Sequence, residues 1–157
     1  MLDPAELQRF NEPSGLGDDV PNVRWEFRID LGNHPNLAWE RILGVVGEII
    51  RFDSESWPAD NDWQRRLPEW LISSMLTLDE CGALMQATPR QEWGSLPWEF
   101  GSWLDRMRER EWRWWGYEKA GRDVRLVLQV TDIPPGIDAF KQIVLAAGAT
   151  ILSDDFR

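Results

Sequence analysis

The groups best equipped for chemistry in this chain are carboxylates. Asp53, Glu55, Asp60 and Asp62 fall in one stretch, DSESWPADNDW, together with Trp57 and Trp63. Carboxylates so close together could bind a cation, form an acid–base pair for hydrolysis, or ring a contact for a basic partner. A calcium loop needs a glycine at its turn and a bidentate glutamate at its end, and this spacing supplies neither. The plainest reading is a solvated acidic loop. Nucleophilic catalysis has little to build on. A serine or cysteine nucleophile needs a positioned base, and the one histidine, His34, sits in a Gly-Asn-His-Pro turn. The one cysteine, Cys81, follows Asp79 and Glu80, a setting that discourages thiolate chemistry, so it is expected to be a small core residue. One Cys and one His do not make a zinc site. Gly44-Val-Val-Gly47 lacks the lysine of a phosphate loop. No catalytic residue, metal or cofactor is therefore expected.

Eleven tryptophans are the second unusual resource. Trp25, Trp39, Trp70, Trp103, Trp112 and Trp114 fall on periodic apolar faces and are expected to be core. Trp57 and Trp63 lie in polar sequence, and Trp115 and Tyr117 share the second face of their strand. Aromatics beside charge are typical anchors of protein interfaces. The candidate partner-binding residues are thus Asp53, Glu55, Trp57, Asp60, Asp62, Trp63, Trp115 and Tyr117.

The net charge is −10, and it is uneven. Residues 1–62 carry 13 acids and 5 bases, a net of −8, whereas residues 63–122 carry 9 of each. Such a field repels nucleic acid and anionic lipid and attracts basic partners. The basic cluster Arg106, Arg108, Arg110 and Arg113 is interleaved with Asp105, Glu109 and Glu111, and reads as a self-compensating surface. No apolar run approaches the ~18 residues of a membrane span. The opening MLDPAELQRFNEPSG has no basic or apolar segment of a secretory signal, and a single thiol fits a reducing cytoplasm.

These residues must be positioned by a small α+β fold. At 157 residues one domain is expected. Residues 1–21 read as an arm, with one helical turn from Asp3-Pro4 to Phe10 as the alternative. Asn22–Asp30 alternates as a half-buried strand. Asn36 could cap a helix to Phe52, against which Gly44 and Gly47 speak; a strand over Val45–Phe52 is the rival. Residues 54–110 hold the acidic loop and inserted helices. Leu67-Pro68 opens one, Thr77 and Glu80 form a capping box for the next, and Ser95 and Pro97 start a third, with Phe100, Trp103, Leu104 and Met107 at helical spacing. Residues 111–157 give a hairpin turning near Gly121, a central strand at Val124–Val130, a helix from Ile137 ending at Gly148, and a short edge strand at Thr150–Leu152. Without the insert the order is βαββαβ, the split βαβ arrangement of ferredoxin-like folds, with its open face partly covered by the inserted helices or left for a partner.

A small, acidic, Trp-rich chain without catalytic equipment resembles the immunity proteins that bacteria make against secreted antibacterial toxins. The likeness is one of size, charge and the aromatic-acidic stretch DSESWPADNDW. It implies a cytoplasmic, non-catalytic protein that neutralises a basic protein partner, such as a nuclease-type toxin, by direct contact. Two other readings are a carboxylate-dependent hydrolase acting on a carbohydrate, and an adaptor subunit of a larger complex.

Overall fold

The computed structural model describes residues 2–157. It is α+β, with a four-stranded antiparallel sheet in the order β2-β3-β1-β4. The strands are β1 (Arg24–Asp30), β2 (Trp112–Ala120), β3 (Asp123–Val130) and β4 (Thr150–Phe156). The expected central strand, β3, does lie inside the sheet, and β4 is an edge strand as expected, though longer. Helices α2 (Pro35–Ile49) and α7 (Ile137–Ala146) cover one face. Phe140 of α7 stacks on Phe27 at 5.3 Å and on Trp112 at 5.1 Å, and Trp39 of α2 meets Tyr117 at 4.7 Å. The helix reading of residues 45–49 holds against the strand. Asn36 is not the cap, however: His34 takes that position and Pro35, whose missing N–H costs nothing there, is the first helical residue.

The inserted helices are α3 (Asp60–Arg66), α4 (Glu69–Ile72), α5 (Leu78–Ala87) and α6 (Phe100–Arg108), with a 3-10 helix at Arg90–Ser95. The capping box is present: Thr77 accepts from Glu80 N and Glu80 accepts from Thr77 N. The start expected at Ser95 and Pro97 falls instead at Glu99, whose carboxylate accepts from Gly101 N at 2.9 Å and Ser102 N at 2.7 Å. These helices do not cover the open sheet face. They gather on the side of the principal helices, where α4 and α6 pack on α7 and Trp103 donates its Nε1 to Ala139 O at 2.9 Å.

The open face is partly covered by the N-terminal segment instead. The helical alternative for residues 3–10 is the one observed: α1 (Pro4–Asn11) is capped by Asp3 and docks along the free edge of β2. An edge strand leaves backbone groups unpaired. Here Glu6 accepts from Trp114 N at 2.6 Å, Arg9 donates to Trp114 O at 3.2 Å, and Arg110 donates to Trp112 O at 2.7 Å. Phe10 lies against Trp114, and it fills the space over Gly47, where a β-carbon would stand 3.0 Å from its ring. Gly47 thus makes room for α1. The loop that follows lays Leu16 over Gly116, where a β-carbon would stand 3.2 Å from Leu16 Cδ2.

The rest of the open face is ionic. Glu26 is buried among Arg24, Arg125 and Arg157, at 2.7, 3.0 and 3.7 Å. Burial alone would raise its pKa; the hydrogen bonds from Arg24 and Arg125 and the fields of Arg125 and Arg157 outweigh that and lower it. A depressed carboxylate pKa stabilises the fold above the unfolded value, near ~4.3, and that stability is lost as pH falls through the folded value. Glu26→Gln is therefore expected to cost about 1–3 kcal/mol at neutral pH. Urea titrations should show the gap to wild type closing below about pH 4. A gap that stays constant down to the acid transition would contradict the assignment.

Candidate functional site

The acidic stretch is built as a seat with a turn above it. Asp53 Oδ1 accepts from Glu55 N at 3.1 Å, Ser56 N at 2.8 Å and Ser56 Oγ at 2.8 Å, folding the chain back. Asp60 and Asp62 stand in the first turn of α3 and Arg65 and Arg66 in its last, which complements the helix dipole. Asp62 pairs with Arg65, and Arg66 reaches Glu48 of α2 at 3.0 Å. Part of this acidity therefore has a structural use that the sequence reading as a loop did not foresee.

The two tryptophans divide in role. Trp63, expected as a surface anchor, is fully buried at 0% exposure, in T-shaped contact with Phe52 at 5.7 Å. The reason is helical: once Asp60–Arg66 coils, Trp63 turns inward between polar neighbours that stay outside. Trp57 is half-buried and lies on Trp63 with ring centroids 4.6 Å apart. Its indole is held from below, and Glu55 and Asp60 are exposed nearby in sequence.

Trp115 and Tyr117 do not share a face. The ladder shifts between Trp114 and Gly116, so that Gly116 pairs with Val127 and Tyr117 with Leu126. A bulge of this kind moves every later side chain to the other face. Tyr117 joins Trp39 and Trp114 under α2. Trp115 is the extra residue: Arg9 stacks on its ring at 4.3 Å, and its Nε1 donates to Asp19 O at 2.8 Å. It pins the N-terminal loop, and Tyr117 is a packing residue.

Two features escaped the sequence. The first is Glu6, which is 1% exposed and forms a bidentate pair with Arg110 at 2.7 and 2.8 Å. Arg110 is thus not part of a solvated surface, and Arg106 too is engaged, with Pro134 O. Arg113 is half-buried, and its pKa is lowered, first by burial and then by the field of Arg110. The second is a groove beside α5. Residues 77–98 leave and rejoin the body where Leu76 N donates to Trp98 O at 2.8 Å and Phe100 N to Leu76 O at 3.0 Å. Neither α5 nor the 3-10 helix buries a residue. Cys81, expected in the core, is half-exposed and lines the groove with Met85 and Trp93. The signal lay in α5 itself, whose Leu78, Cys81 and Met85 share one stripe without a second apolar face to bury.

Glu99 and Asp138 also face this groove, and a two-carboxylate hydrolase would draw its pair from them. Glu99 is ill suited as its acid. Burial raises its pKa, but the N–H groups of Ser102 and Gly101 outweigh that and lower it, so the capping carboxylate is held ionised. Among the described residues no three His, Cys, Asp or Glu side chains converge as metal ligands, and no helix is long and apolar enough to cross a membrane. The chain matches no protein-family model, no curated protein and no solved structure.

Proposed function

We propose that this chain is a non-catalytic binding protein that recognises a basic protein partner, in the manner of a cytoplasmic immunity protein neutralising a secreted bacterial toxin. The observation that carries the reading is the Trp57–Trp63 stack. A partly exposed indole held on a buried one loses little freedom when a partner covers it, which is what an interface anchor requires. The carboxylates of Asp53, Glu55, Asp60 and Asp62 surround it in sequence, and they sit in the most acidic third of the chain. In this reading Trp63 is the seat of the contact, not the contact. Trp115 and Tyr117 leave the interface. The order β2-β3-β1-β4, with helices after β1 and β3, supports reading the scaffold as the ferredoxin-like arrangement.

The test begins with capture on the immobilised chain from lysate of cells that carry its gene. The expected partner is basic, and its association slows as salt rises, since exposed charges are screened within ~10 Å at 0.1 M. Expression of the chain should also protect cells from that partner's toxicity. An acidic or uncharged partner bound at a salt-independent rate would overturn the reading. The hydrolase alternative rests on Glu99 and Asp138 sharing a groove, and is removed if Glu99→Gln and Asp138→Asn leave any measured glycosidase activity unchanged.

A further inference from the structure

Within the excursion 77–98, Trp98 packs against the main core, while α5 and the 3-10 helix bury no residue and leave an apolar inner side. Its Cys81, Met85, Trp93 and Leu96, with Trp98 and Pro97, line a groove of about 380 Å³. Trp93 is fixed there by its Nε1, which donates to Met85 O and Thr88 O, each at 3.1 Å. Polarizable methionine and cysteine beside aromatic rings suit an adaptable apolar ligand surface. The charged side chains lining the groove are Glu99 and Asp138, both anionic, and beside them is the cation Arg90, whose guanidinium lies 5.5 Å over the Trp93 ring. Arg106 and Lys141, in the adjoining hollow beyond Trp98, are already bonded to Pro134 O and Asp154. Asp138 is 86% exposed at its side chain and only 3.9 Å from Lys141 at best, so its charge faces outward.

We propose that this groove binds an amphipathic, positively charged segment of another protein, its apolar side chains on Met85 and Trp93 and its Lys or Arg side chains toward Glu99 and Asp138. An apolar floor with an anionic rim matches that chemistry, as an amphipathic helix laid in a groove requires. The proposal does not depend on the Trp57 contact.

The probe is a fluorescein-labelled amphipathic Leu/Lys peptide of about 18 residues, long enough for five helical turns. Its controls are an isomer with the same composition but no apolar stripe, and a Leu/Glu peptide. Anisotropy reports affinity. Alkylation of Cys81, the only thiol in the chain, reports occupancy of the groove. The Leu/Lys peptide is expected to slow alkylation about tenfold, and neither control should. Met85→Ala and Asp138→Lys should each weaken binding about fivefold. Circular dichroism confirms that each variant is folded, and Asp138→Lys, at an exposed position, keeps the test open if Met85→Ala is not. Absence of binding overturns the proposal. So does binding that leaves Cys81 alkylating at its free rate, or that survives both groove substitutions, since a chain of charge −10 attracts any cation.

Discussion

Replacing Glu6 with alanine is expected to lower the unfolding free energy by about 3–5 kcal/mol, a large share of a domain's total stability. The side chains of Glu6 and Arg110 are 1% and 8% exposed. Both have left water, and the pair returns that cost only because its geometry is good and its remaining groups are bonded. Arg110 also donates to Trp112 O at 2.7 Å and lies 4.8 Å over the Trp112 ring. Glu6 also accepts from Trp114 N at 2.6 Å. Without the carboxylate, Arg110 becomes a buried cation lacking its counterion, and Trp114 N becomes an unpaired donor on an edge strand. The double variant Glu6→Ala with Arg110→Met should be less damaged than the sum of the two singles, because it leaves no orphan charge. Urea unfolding of the four proteins decides the point. A loss below about 1 kcal/mol in the first single variant would mean that the pair is hydrated.

Trp63→Ala is expected to cost about as much, roughly 3–5 kcal/mol, by emptying the space its ring fills against Phe52 and Trp57. The lower half of that range is the better expectation. Trp63 Nε1 is buried with no acceptor among the described residues, which already costs about 1–3 kcal/mol. Truncation removes that penalty together with the ring. Trp57→Ala should cost far less, about 1 kcal/mol, since its ring is only partly covered. The two variants thus separate seat from contact. Trp63→Ala should lose stability and, with it, partner affinity; Trp57→Ala should lose affinity while the fold stays near wild type. Equal losses of stability in both would show that Trp57 is simply core.

What could be read from the sequence was local and periodic. β1 alternates apolar and charged residues, β3 sets Val124, Leu126, Leu128 and Val130 on one face, α7 carries one apolar face, and Thr77 with Glu80 marks a helix start. What could not be read depended on geometry that no short window contains. A period-two reading runs straight through Trp115 and puts Tyr117 on the wrong face, because one inserted residue looks like any other. Trp63 reads as a loop residue until Asp60 and Asp62 are seen as the first turn of a helix. Glu6 and Arg110 are 104 residues apart, so nothing near either announces the pair. For the candidate site, the carboxylates and Trp57 were legible as a cluster. Which tryptophan faces outward was not, because that is set by α3 packing on Phe52.

The central claim is that a basic partner is held by Trp57 within an acidic surround. The most direct measurement is the association and dissociation of the captured partner at low and high salt, for wild type, Trp57→Ala and a variant with Asp53, Glu55, Asp60 and Asp62 replaced by their amides. Trp57→Ala is predicted to weaken binding by about 2 kcal/mol or more, roughly thirtyfold, mainly through faster dissociation. The amide variant is predicted to slow association at low salt and to lose most of the salt dependence. Wild-type rates in both variants would contradict the account and move the interface elsewhere on the molecule.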